Sequence, residues 1–348
     1  MTAARRAIFH VGLPRTGTTS LQRFLHDRRE RLLERGLLYP DLTPASAAEP
    51  HLSHQHLGET LDGRRPPAER RELLVRLDAA LAATGADVCL LSYEGLCRLP
   101  DAARAARELA DLVAGRGFAP EILMTVKPQI DLLNSLYTKQ IQSLRGQARF
   151  AAFLDRSLDG PRLDYLAALQ PWAEAADGRV TVVPLHDHRS HASFLTRVFA
   201  DLGLGERVGD LVAKAGAGLR ENPSQGPLGI EIERRMVETG LHHLLAGRER
   251  AATRTIEEEL ARRGLDTEGF VGFDAAMAER VERRWEETND KLAFLAWGCR
   301  WSERVAPGPR GARNELAPVP PPEAEAAIAE VLGGFLAGAG LRPPGRLA

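Results

Sequence analysis

Short apolar runs alternate along the chain with longer segments in which apolar residues recur every three or four positions. The runs lie at residues 7–11, 37–39, 88–91, 122–126 and 180–183. Continuous runs of this length are typical of strands buried on both faces, and the periodic segments between them predict amphipathic helices. The alternation predicts an α/β protein with a central parallel sheet in three α/β/α layers, joined by right-handed crossovers.

The periodic segments give the predicted helices. They cover residues 18–34, 67–84, 101–116, 128–144, 150–158, 164–175 and 194–202. Residues 41–66 are rich in Pro, Ala, Ser and His and are expected to form a loop with little regular structure. We expect one domain over residues 1–305, mostly helical from about residue 223, and then a Pro-rich linker with a final apolar helix at 306–348. That helix is expected to dock on the domain or to mediate a homodimer.

Composition limits the classes of function. With 348 residues, 44% of them hydrophobic, the chain can bury a large core. Its 46 basic and 47 acidic residues give no field that would gather nucleic acid, so any anion site must be local. The three cysteines include no C-x-x-C pair, which argues against a disulfide framework or a thiolate metal site. No run approaches the ~20 apolar residues of a membrane span, and the apolar run near residue 7 is too short for a secretion signal. A soluble, cytoplasmic protein is expected.

The first strand ends in a loop of small and hydroxyl residues, Gly12-Leu-Pro-Arg-Thr-Gly-Thr-Thr-Ser20, which leads into a helix. A glycine-containing turn before a helix directs several backbone N–H groups to one point, where the helix dipole favours negative charge. Hydroxyl groups of Thr16, Thr18, Thr19 and Ser20 add donors, and Arg15 adds a cation. The loop predicts a phosphate or sulfate site; the alternative is an ordinary capped helix start.

The loop is not a complete Walker A motif. Gly12 and Gly17 have the spacing of G-x-x-x-x-G-K-[ST], but Thr18 stands in the lysine position. The neighbouring strand tips end in Ser92-Tyr93 and in Lys127, and neither carries the Asp that would hold magnesium in a nucleoside triphosphatase. A kinase or ATPase is therefore disfavoured.

Two segments together resemble the donor-binding motifs of the sulfotransferases that use 3′-phosphoadenosine 5′-phosphosulfate (PAPS), in particular the bacterial ones. Residues 9–22, Phe-His-Val-Gly-Leu-Pro-Arg-Thr-Gly-Thr-Thr-Ser-Leu-Gln, are similar to the family's 5′-phosphosulfate loop. Residues 124–137 are similar to its 3′-phosphate motif, with Lys127 at a strand tip and Ser135 eight positions later on a helix. Most relatives have lysine in place of Arg15 and arginine in place of Lys127.

The resemblance extends more loosely over most of residues 5–305. Residues 91–96 are similar to the family's S-x-E-x-L strand tip, which includes Glu94, and Asn222 with Ser224 is similar to an N-x-S element. It implies a P-loop-like core that binds PAPS without a metal. The implied donor-binding residues are Pro14, Arg15, Thr16, Gly17, Thr18, Thr19, Ser20, Lys127 and Ser135.

The implied reaction moves a sulfuryl group in line from PAPS to a hydroxyl or amine. Arg15 would stabilise the leaving group, and a general base would take the proton of the acceptor. Glu94 is the first candidate for this base, and His54 is the second, chosen among the loop histidines; each could instead be structural. His10 is interpreted as a core histidine, and no metal site is expected.

The acceptor stays open between a small molecule, a carbohydrate, a lipid head group and a peptide, with no nucleic-acid partner and no stable membrane insertion. The alternative functions are a P-loop nucleotide kinase and a catalytically degenerate nucleotide-binding module.

Overall fold

The computed structural model describes residues 5–160, 163–215, 225–245, 247–308 and 311–341. The chain forms two compact units, each built from separated segments. The first unit comprises the segments Met1–Pro128, Pro161–Arg220 and Trp285–Pro307. The second unit comprises the segments Gln129–Gly160, Glu221–Arg284 and Gly308–Ala348.

The first unit contains a five-stranded, all-parallel sheet with strand order β2-β3-β1-β4-β5. The strands are β1 Arg5–Gly12, β2 Leu37–Leu38, β3 Val88–Ser92, β4 Phe118–Val126 and β5 Val180–Pro184. Together with the helices that flank it, this sheet confirms the predicted three-layer α/β/α fold. The strand order reverses at β1, and a ligand crevice is expected beyond the carboxyl ends of the strands at such a point.

The helices follow in chain order. They are α1 Thr18–Asp27, α2 Arg29–Glu34, α3 Gln55–Leu61, α4 Pro67–Ala83, α5 Ala102–Ala114, α6 Gln129–Gln142, α7 Phe150–Leu158, α8 Tyr165–Ala175, α9 Phe194–Asp201, α10 Gly205–Ala215, α11 Pro227–Glu238, α12 Glu249–Arg262, α13 Ala275–Trp297, α14 Trp301–Arg304 and α15 Pro322–Gly338. None of the helices among the described residues is both long and apolar enough to cross a membrane.

The central strand β1 is buried on both faces, as its continuous apolar run predicts. Ile8 belongs to a cluster with side chains of α1, α9 and α10, including Phe24 and Val198. Phe9 points to the opposite face, where its ring meets Trp172 of α8 edge to face, with 6.2 Å between the ring centroids. Neighbouring residues of a strand face opposite sides, so this alternation holds helices on both faces of the sheet.

Two sequence-based expectations about local structure were wrong. Residues 41–66 are not irregular throughout, since they contain α3, whose Gly58 lies so close to Tyr93 that a Cβ there would come within 2.1 Å of its ring. The predicted helix at 18–34 is divided at Arg28 into α1 and α2. Helix α10 was not predicted.

The C-terminal helix α15 packs within the second unit. Its buried residues Ile328, Val331, Leu332 and Leu336 join one apolar cluster with residues of α11 and α12. Ion pairs from Arg235 to Glu325 at 2.6 Å and from Arg263 to Glu330 at 2.6 Å flank this contact. Helix α15 therefore packs against α11 and α12 of the second unit.

Candidate anion-binding site

The loop between β1 and α1 turns through left-handed backbone conformations. The φ angles are 145° at Gly12, 72° at Arg15 and 88° at Gly17. Glycine adopts such angles without steric cost, whereas Arg15 is a non-glycine residue in a region that L-residues seldom visit. Turns that combine left- and right-handed residues are the ones in which backbone N–H groups form anion-binding concavities.

Helix α1 begins at the end of this loop without a side-chain cap. Its N-cap residue is Gly17, which has no side chain to bond the N–H groups of the first turn, and that turn contains no acidic residue. A helix start of this kind leaves N–H groups and the positive end of the dipole to an anion. Thr19 and Arg15 are exposed, and Ser20 is half-buried. The geometry at the helix start therefore favours a bound phosphate or sulfate.

The other hydroxyl groups of the loop lie inside the protein. Thr16 and Thr18 are 0% and 2% exposed. The Thr16 hydroxyl donates a hydrogen bond to the Leu13 carbonyl at 2.8 Å and lies 2.9 Å from the Thr125 hydroxyl of β4. Thr16 therefore stabilises the conformation of the loop through hydrogen bonds to the loop backbone and to β4.

Glu94 lies at the tip of β3, directly beside α1. Its Oε2 atom accepts a hydrogen bond of 2.8 Å from the Gln22 amide of α1. One turn on, the Cys97 thiol donates to the Gly12 carbonyl at 2.6 Å, and burial raises the pKa of this thiol to about 12. The tip of β3 is thus bonded both to the loop and to the helix that follows it.

Both ring nitrogens of His54 are engaged in hydrogen bonds. Nδ1 accepts from the Ser92 N–H at 2.9 Å, and Nε2 donates to the Pro40 carbonyl at 2.9 Å. The side chain is 5% exposed, and burial lowers its pKa to about 4, so it is neutral at pH 7. In this arrangement His54 joins the loop after β2 to the tip of β3, and it has no ring nitrogen left to accept a proton.

The other loop histidines lie beside it. The Nδ1 atom of His51 accepts hydrogen bonds from the N–H and hydroxyl of Ser53, and the two nitrogens of His56 are buried and make no hydrogen bond to any described residue. Among the described residues, no group of three or more His, Cys, Asp or Glu side chains could hold a metal ion.

Lys127 lies at the carboxyl end of β4 and is 7% exposed. The Tyr165 hydroxyl fixes its backbone, accepting from the Lys127 N–H at 3.2 Å and donating to the Lys127 carbonyl at 2.8 Å. Ser135 belongs to α6 of the second unit, whereas Lys127 belongs to the first. Asn222 and Ser224 lie outside the described residues.

Comparison with known proteins gives two structural matches. The chain is similar to a sulfotransferase from Alicyclobacillus acidocaldarius, with 17% identity, a TM-score of 0.36, and 72% of this chain and 97% of that chain covered. It is also similar to a structure of the PezAT toxin-antitoxin system of Streptococcus pneumoniae, with 13% identity, a TM-score of 0.30, and 61% of this chain and 88% of that chain covered. No protein-family profile and no curated protein matches the chain. Because both TM-scores are below 0.5, the assignment of function rests on the site residues.

Proposed function

We propose that this protein is a sulfotransferase that binds PAPS at the β1–α1 loop and transfers its sulfuryl group to a hydroxyl or amine. The observation that carries the proposal is the loop itself: left-handed backbone at Gly12, Arg15 and Gly17 leads into a helix whose first turn has no side-chain cap and no acidic residue. The 5′-phosphosulfate would lie at this helix start. Lys127, at the carboxyl end of β4, would bind the 3′-phosphate, as the sequence resemblance implies.

The residues around the loop can supply the chemistry of transfer. As the acceptor oxygen or nitrogen bonds to sulfur, the bond from sulfur to the bridging oxygen breaks and adenosine 3′,5′-bisphosphate leaves. Arg15 and the N–H groups of α1 would stabilise the charge that develops on this leaving oxygen. Glu94 would take the proton of the acceptor, with its carboxylate oriented by the hydrogen bond from Gln22.

Two details favour PAPS over ATP with magnesium. Thr18 stands where a Walker lysine would reach the phosphates, and its side chain is buried. Ser92 ends β3 where a Walker B motif has an aspartate, and its hydroxyl lies 2.7 Å from the His10 ring.

Titration calorimetry tests the donor. We expect adenosine 3′,5′-bisphosphate to bind without added metal and ATP-Mg to bind more weakly. Preference for ATP-Mg would favour a nucleotide kinase and overturn the proposal. Binding of neither nucleotide would favour the degenerate module. Screening of hydroxyl and amine acceptors with radiolabelled PAPS then identifies the substrate class.

A further inference from the structure

A continuous chain of buried polar groups runs beneath the loop, through all three central strands. Its members are Gln22 of α1, Ser92 of β3, His10 of β1, Thr125 of β4 and Thr16 of the loop, and each is at most 5% exposed. The strand register brings them together, since His10 pairs with Ser92 and Gly12 pairs with Thr125. Buried polar groups that bond to one another in this way fix a unique arrangement of the surrounding backbone.

The donor and the acceptor in each of these hydrogen bonds can be assigned by counting the available protons, starting at the loop. The one hydroxyl proton of Thr16 goes to the Leu13 carbonyl, so Thr125 must donate at the 2.9 Å contact with Thr16. Thr125 then has no proton left for His10. At the 3.4 Å contact between Thr125 and Nε2 of His10, the histidine must therefore be the donor.

The other half of the chain is fixed by the neutral state of the ring. Burial lowers the pKa of His10 to about 4, so at pH 7 the ring carries one proton, on Nε2. Its Nδ1 atom accepts from the Ser92 hydroxyl at 2.7 Å. Ser92 in turn accepts from the Gln22 amide at 3.2 Å, and the same amide nitrogen donates to Glu94 at 2.8 Å.

We propose that His10, as its Nε2–H tautomer, is a positioning residue that couples the anion-binding loop to the carboxylate of Glu94. It touches neither donor nor acceptor. Through Thr125 it is connected to Thr16 of the loop, and through Ser92 and Gln22 it is connected to Glu94. The hydrogen-bond directions follow from the contacts and from the neutral ring of His10, whereas the positioning role rests on the proposed sulfotransferase function.

The tautomer is tested without any nucleotide. Long-range proton–nitrogen NMR on protein with ¹⁵N-labelled histidine rings distinguishes Nε2–H from Nδ1–H. The His10 signal is identified by its loss in His10→Gln or, if that variant does not fold, by its shift in Ser92→Ala. We expect Nε2–H at pH 7. An Nδ1–H ring or an imidazolium at this pH would contradict the assigned hydrogen-bond directions.

The coupling is tested at a residue remote from the loop. Ser92→Ala removes the donor to His10, and we expect adenosine 3′,5′-bisphosphate to bind about fivefold more weakly, a loss typical of one hydrogen bond. Gln22→Met keeps the Ser92–His10 bond, and we expect about tenfold slower sulfate transfer with unchanged bisphosphate affinity. Thr253→Val is the matched control, because it removes a buried helical hydroxyl, bonded to the Arg250 carbonyl, from the second unit.

The outcomes separate the two proposals. If folded Ser92→Ala binds the bisphosphate as the wild type does, His10 does not couple the loop to the strand tip. Equal losses of affinity in Ser92→Ala and Thr253→Val would also overturn the coupling, since they would reflect general destabilisation. If instead the wild type binds no bisphosphate, the proposed function fails, and the positioning role fails with it.

Discussion

Gly17 lies directly against Phe194, so that a Cβ atom at Gly17 would come within 2.8 Å of the Phe194 ring and 2.9 Å of Leu185. Leu185, which follows β5, and Phe194, the first residue of α9, thereby contact the turn that precedes α1. A side chain at Gly17 would also have to adopt a φ of 88°.

Gly17→Ala is therefore expected to weaken binding of adenosine 3′,5′-bisphosphate at least about tenfold and to destabilise the protein by about 1–3 kcal/mol. Gly63→Ala is the matched control, because Gly63 has a φ of 73° but a Cβ atom there would have no neighbour within 4 Å. Gly63→Ala should lower the free energy of unfolding through backbone strain alone and leave the affinity for the bisphosphate unchanged. Calorimetry and urea denaturation measure both. Unchanged binding in Gly17→Ala would show that this contact does not shape the site.

Arg15→Ala is expected to lower sulfate transfer by about 10²–10³-fold, the usual cost of removing one group that stabilises transition-state charge. The fold should persist, since the Arg15 side chain is exposed. Arg23→Ala serves as the control, because Arg23 is an exposed arginine on the same helix α1. The measurement is transfer from radiolabelled PAPS, and full activity in Arg15→Ala would remove Arg15 from the proposed mechanism.

Glu94→Gln should lower turnover by about 10²–10⁴-fold while the affinity for the bisphosphate is kept, as expected for loss of a general base. His54→Gln should act differently, because both ring nitrogens of His54 serve structural hydrogen bonds. We expect it to lower the free energy of unfolding by about 1–3 kcal/mol. Steady-state kinetics beside denaturation separates the two roles. Unchanged turnover in Glu94→Gln would pass the role of base to a loop histidine.

His10 and His54 predict a loss of stability in mild acid. Burial depresses the pKa of each to about 4, against 6.5 for an ordinary histidine, so the unfolded chain binds protons that the folded protein does not. The contribution of the two histidines to the free energy of unfolding is complete above pH 6.5 and is lost as the pH falls towards 4. At pH 5 each histidine lowers this free energy by about 2 kcal/mol. Urea denaturation between pH 7 and pH 5 measures the slope. His10→Gln should flatten this slope, whereas Thr253→Val, which removes no titratable group, should leave it unchanged.

Leu332 tests the role of the tail in the second unit. It is 4% exposed in the apolar cluster of α11, α12 and α15, so Leu332→Ala should cost about 2–5 kcal/mol. Val319→Ala, at a position 84% exposed, should change stability by less than about 0.5 kcal/mol. Equal stabilities of the two variants would contradict the structural role of α15.

Much of the core could be predicted because its signals are local. The apolar runs mark the strands, and the small and hydroxyl residues from Gly12 to Ser20 mark the turn into α1. Helix α3 could not be predicted, since it is only seven residues long and is stabilised by packing of Gly58 on Tyr93 rather than by its own periodicity.

The buried hydrogen-bond chain was missed for a related reason. Its members are far apart along the sequence: Gln22 and Ser92 are separated by 70 residues, and Thr16 and Thr125 by 109. Only the register of β1 against β3 and β4 brings them to His10. A histidine inside an apolar strand was the one available signal, and its partners could not be read from it.

Helix α1 begins at Thr18, where we propose that the anion binds, and four positions later it carries the Gln22 amide that bonds Glu94. One inserted or deleted residue between these points would rotate Gln22 by about 100° around the helix axis and swing its amide away from Glu94. Related proteins that keep this arrangement should therefore keep the number of residues between Thr18 and Gln22, and insertions should fall outside this segment.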